Sequence, residues 1–162
     1  MKRLSFILLL AFSTFFCANA QQVYTQIRQK ASASVSDAAA APVVRQFSRF
    51  KLDALDYLGM KMKEKMPDST VVYLDKQALA LNQFMSLYTQ TLLDSRTEPV
   101  AYQVKLIKLF IDASVSNPLF NDTDKELVHS YVADADSPTR FSLDTDWQRA
   151  YIAVLMQLKK NK

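Results

Sequence analysis

Residues 72–95, VYLDKQALALNQFMSLYTQTLLDS, decide the fold. Leu74, Ala78, Leu81, Met85, Tyr88 and Leu92 recur in alternating steps of four and three. Side chains spaced that way share one face of a helix, so the stretch predicts the seam of a helix packed in a bundle. It contains neither glycine nor proline to interrupt it.

The same period continues on both sides, with prolines as punctuation at Pro42, Pro67, Pro99, Pro118 and Pro138. Proline is expelled from helix interiors and tolerated in first turns and loops. Toward the N-terminus, a helix is predicted over 43–66, with Val43, Phe47, Phe50, Ala54, Leu58, Met62 and Met66 on its stripe and Leu55 beside them. Toward the C-terminus, one is predicted over 98–116. Its stripe is Val100, Val104, Ile107, Ile111 and Val115, widened by Leu106 and Phe110, with Thr97 as N-cap. A short helix over 123–134 opens on the capping box Thr123/Glu126, and another over 145–160 opens on Thr145/Gln148. No hairpin signal appears, and Val71-Val72-Tyr73 is the only β-branched and aromatic run. The expected fold is therefore all-α: a single helical, bundle-like domain of four or five helices over 43–162.

Residues 1–20 read as a cleaved signal peptide. Lys2 and Arg3 precede an apolar run from Leu4 to Cys17, and Ala18-Asn19-Ala20 supplies small residues for the peptidase. The run is short for a bilayer span. Phe15 and Phe16 occupy the places where a lipidation motif wants small residues before Cys17. Residues 21–42 read as a flexible leader rich in Ala and Ser, with partial helicity as the rival reading. The expected product is soluble, periplasmic or secreted, with no integral membrane span.

Composition removes several chemistries. One glycine, Gly59, leaves no glycine-rich phosphate cradle and no nucleophile elbow. One histidine excludes HExxH zinc sites, and one cysteine excludes an internal disulfide. Without Lys2 and Arg3 the chain carries 18 basic against 16 acidic residues, a net charge of +2, too mild to imply a nucleic-acid partner.

Some constellations remain. Asp122, Asp124, Glu126 and His129 are the weak candidates for a metal site. Glu126 and His129 form an E-x-x-H pair, but a di-iron bundle needs a second such pair. Asp122-x-Asp124-x-Glu126 has the look of a calcium loop without its turn glycine or closing acid. The same residues serve as helix caps, so no metal or other cofactor is expected. Met60, Met62 and Met66 offer soft thioethers suited to Cu(I), although Met62 and Met66 also lie on the apolar stripe. Arg45, Arg49, Lys51, Lys61, Lys63 and Lys65 give helix 43–66 a basic face, either solvated or facing anionic lipid or polysaccharide. Asn121-Asp122-Thr123 is an N-glycosylation sequon.

No assembled nucleophile, base and oxyanion donor can be written, so the chain is expected not to be an enzyme. The expectation is a non-enzymatic binding or interaction module whose partner is another envelope or secreted protein. The alternatives are a small-ligand or lipid carrier with a pocket between helices, and a hydrolase centred on His129 and nearby aspartates.

Overall fold

The computed structural model of the protein describes residues 22–69 and 71–160, so the expected signal peptide lies outside the described residues. The described residues are all-helical, without a strand. Among the described residues there are seven helices: α1 (Gln22–Ser36), α2 (Pro42–Lys65), α3 (Val71–Asp94), α4 (Val100–Val115), α5 (Lys125–Val128), α6 (Ser130–Ala133) and α7 (Trp147–Lys160). None is long and apolar enough to cross a membrane.

The helix read from 72–95 is the central one. As α3 it touches α1, α2, α4 and α7. Its predicted seam is buried at Ala78, Leu81, Met85 and Tyr88. Gln77, Ala80 and Phe84 are buried beside it and widen the same face. The heart of the core is aromatic. Phe84 lies edge-on to Phe110, Phe141 and Trp147, with ring centroids 5.3, 5.2 and 5.4 Å away. Phe50 and Tyr88 close the cluster against Phe141 at 5.5 and 5.0 Å. Edge-to-face pairs of this kind add to the area that each ring buries.

The count of seven against the expected four or five has two sources. The predicted helix 123–134 is two single turns, α5 and α6, broken at His129. The larger departure is α1. Of the stretch expected to be a flexible leader, residues 22–36 form a 15-residue helix packed on α2 and α3, so the helical unit takes in residues before 43. Ala31 is buried, and the Tyr24 hydroxyl donates to Leu55 O at 3.1 Å. Asp75 Oδ1 accepts the Tyr24 N–H at 2.8 Å, so a carboxylate from α3 satisfies an orphan donor at the positive end of the α1 dipole. Gly59 is the counterpart on α2. A Cβ there would stand 2.7 Å from the Tyr24 phenol oxygen. A glycine inside a helix costs about 1 kcal/mol relative to alanine, and here its missing side chain is the space the phenol fills.

The face of α4 is also corrected. The expected stripe is turned outward at its start: Val100 is 74% and Val104 56% exposed. The buried residues are Leu106, Phe110, Ala113 and Ser114. The Phe110 ring, held between Phe84 and Tyr88, fixes the rotation of the helix. Burying Leu106 and Phe110 together removes more apolar area from water than burying the two valines would.

Between α6 and α7 the chain is not helical, and after an exposed turn at 134–136 it runs into the interior. From Thr139 to Trp147 every residue but Arg140 is buried. A buried irregular segment must find partners for its backbone groups. Ser142 N–H donates to Ser114 Oγ, Leu143 N–H to Val128 O and Asp146 N–H to Asn117 O. Gln77, fully buried, donates to Asp146 Oδ1 at 3.0 Å and accepts the Trp147 N–H at 2.9 Å, pinning the start of α7.

Candidate binding groove

The C-terminal half of α2 runs beside α1 and then turns through Met66 and Pro67 into α3. This corner leaves an open groove of about 860 Å³. Met60, Met62, Met66, Val71 and Leu74 supply its apolar surface, with Tyr24 and Gly59 at the α1 side. Met62 is 6% exposed and forms part of the floor, whereas Met60 and Met66 are 51% and 38% exposed. Met66 is thus not the core residue its place on the stripe suggests. The helix ends at Lys65, and the Met66 N–H caps it on Met62 O.

Of the charges at the rim, Arg28, Asp56 and Glu64 are matched within the chain, whereas the exposed Lys63 is in none of the ion pairs among the described residues. Arg28 forks onto both oxygens of Asp56. Glu64 lies between Lys65 at 3.1 Å and Lys61 at 3.2 Å, and these two ammonium groups hold its carboxyl below the ordinary value. Apart from Lys63, what remains to be recognised is apolar and polarizable. Methionine side chains have three rotatable bonds and fit irregular apolar shapes.

The structure places the four weak metal candidates as follows. Asp122 is a structural anion. One oxygen meets Lys61 Nζ at 2.9 Å and the Tyr57 hydroxyl at 2.9 Å, and the other accepts the Asp124 N–H. Lys61, together with that backbone N–H, holds its carboxyl down from 3.8 to about 2. Burial, and then the neighbouring Asp122, push the Tyr57 phenol well above its usual range. Asp124 is the N-cap of α5, accepting the Leu127 N–H at 2.9 Å, in place of the predicted cap Thr123. Glu126 is exposed in the first turn of α5, and half-buried His129 sits at the break between α5 and α6. Among the described residues, no group of three or more His, Cys, Asp or Glu is arranged to hold a metal ion.

A second carboxylate organises the same loop. Asp144, buried, accepts N–H groups from Leu119 (3.1 Å), Phe120 (2.8 Å) and Asp122 (2.8 Å). Asn121 takes φ 51°, the left-handed region that asparagine tolerates, and the amides on its two sides converge on one carboxylate. The second predicted capping box also resolves differently. Asp146 caps α7 through the Arg149 N–H, and Thr145 instead joins a buried hydroxyl pair with Ser114 at 2.8 Å. Sequence reading missed the set Tyr57, Lys61, Asp122 and Asp144, because its members lie up to 87 positions apart and only the folded chain makes them neighbours.

The Asp122 carboxyl has a pH signature. Its folded value lies below its unfolded one, so the stability it contributes is present above about pH 4 and fades as pH falls toward 2. In urea unfolding, the native chain is expected to lose stability over that window faster than Asp122→Asn. Parallel pH profiles for the two would show that the ion pair with Lys61 does not form in solution.

No known protein family, curated protein or solved structure matches the chain.

Proposed function

We propose that this chain is an exported, non-enzymatic interaction module, and that its methionine groove receives an apolar segment of another envelope or secreted protein. The observation that carries this reading is the groove itself. It is open along its length, lined by Met60, Met62, Met66, Val71 and Leu74, and bordered by Arg28, Asp56 and Glu64, already paired inside the chain, and by the exposed Lys63. Apart from Lys63, an ionic ligand would have to break those pairs, whereas an apolar peptide segment gains from burial without doing so. Export rests on the pattern of residues 2–20: positive start, apolar run and small residues at the cleavage point.

The test is site-specific photocrosslinking in the native host. A photoreactive residue at Met66 is expected to give one discrete protein adduct that Met60→Glu abolishes. The same residue at Val104, on the outer face of α4, is the control. Identical adducts from both positions, or none from Met66, would remove the groove as the docking site.

A further inference from the structure

A second groove lies where the start of α2 crosses the later half of α3, and it shares no lining residue with the methionine groove. Its volume is about 450 Å³, within the range of roughly 300–1,000 Å³ typical of small-molecule sites. Val43, Val44, Phe47 and Met85 line it, joined by the Ser86 side chain and by Lys51. Val43 and Val44 are 49% and 47% exposed, so the groove presents apolar surface to solvent.

Lys51 is the unusual member. It is half-buried, and its ammonium donates to Asn82 Oδ1 at 2.8 Å. Among the described residues no carboxylate lies within ion-pair distance of it. Burial lowers its proton affinity, as expected of a cation whose hydration is reduced without a counter-ion in return. A neutral amide oxygen satisfies one of the three ammonium donors and leaves the charge uncompensated. Elsewhere in the fold a half-buried lysine is matched by acid: Lys61 meets both Asp122 and Glu64.

We propose that this groove binds a single-chain amphiphile with a carboxylate head, of the fatty-acid class, with the head on Lys51 and the apolar body along Val43, Val44, Phe47 and Met85. One compact ammonium suits a monoanion, and a charge-assisted hydrogen bond in a partly desolvated site is stronger than one in water. The methylene chain covers the exposed valines. The site is separate from the methionine groove and stands or falls without it.

The experiment is calorimetry and methyl NMR with sodium decanoate below its micelle concentration, on protein recovered from its own host. Decanoate is expected to bind one to one and to shift the Val43, Val44 and Met85 methyl signals. Decyltrimethylammonium, with the same tail and opposite charge, is expected to bind at least tenfold more weakly. Lys51→Met should weaken decanoate at least tenfold, Lys51→Arg should hold it within about threefold, and Lys63→Met should leave it unchanged. The proposal is overturned by absent binding, by equal affinity for the two detergents, or by shifts confined to Met60 and Met66. The detergent comparison needs no variant, so it decides the matter even where Lys51→Met does not fold.

Discussion

Phe84→Ala is expected to lower the unfolding free energy by about 3–5 kcal/mol, the usual cost of truncating a buried aromatic ring. Phe84 is fully buried and lies edge-on to three other aromatic rings, those of Phe110, Phe141 and Trp147. These neighbours come from α4, the buried segment and α7, so the cavity opens where several elements meet. Collapse around it is hindered because Phe110, Phe141 and Trp147 each have further aromatic neighbours holding them in place. Single domains have only about 5–15 kcal/mol to lose, so the variant should be close to unfolding at physiological temperature. Urea titration followed by circular dichroism measures the change. Val100→Ala is the comparison, because that side chain is 74% exposed and its loss should fall within about 0.5 kcal/mol. Equal effects at the two positions would contradict the central role given to α3.

Asp144→Ala is expected to cost about 3–5 kcal/mol by a different route, comparable to removing one partner of a buried charged contact. The Asp144 carboxylate accepts three backbone N–H groups, from Leu119, Phe120 and Asp122. Truncation leaves these donors without an acceptor and releases the loop that holds Asp122 against Lys61 and Tyr57. The loss should therefore be largest locally. In amide hydrogen exchange, protection at Leu119, Phe120 and Asp122 should fall by more than the global change, while the amides of α3 fall only by the global amount. Asp144→Asn, which keeps one acceptor oxygen, should lie between the alanine variant and the native chain. A uniform loss of protection across all helices would show that Asp144 supports the whole core and not the loop specifically.

The extents of α2, α3, α4 and α7 were legible because each rests on local chemistry. Apolar side chains repeat at helical spacing, and Pro42 sits in the first turn of α2. Capping was read one residue off in two places. Asp124 and Asp146 take the positions that Thr123 and Thr145 were expected to fill. A threonine next to an aspartate offers two side-chain acceptors, and which one caps depends on where the chain enters from. For Thr145 the choice follows from Ser114, 31 positions away, whose hydroxyl draws it inward.

The candidate sites were less legible. The methionine cluster was visible at its spacing, but its division into a buried Met62 and exposed Met60 and Met66 was not. That division follows from the turn at Met66 and Pro67, and from α1 covering one side of α2. Lys51 had no distinguishing mark among the basic residues of its helix. Its half-burial and its lack of an acidic partner arise only once α3 brings Asn82 and Met85 beside it.

The sequence by itself determined the helical class and the positions of α2, α3, α4 and α7, because these depend on interactions over a few residues. Tertiary structure alone decided three things. It docked α1, whose small residues bury little surface unaided and which is held by Tyr24 over Gly59 and by Asp75 at its first amides. It rotated α4, whose valine stripe yielded to the larger area buried by Leu106 and Phe110 together, with Phe110 held in the aromatic cluster. It also buried most of residues 139–146 without regular structure, because Asp144, Ser114, Asn117 and Gln77 supply the partners that a helix or sheet would otherwise have provided.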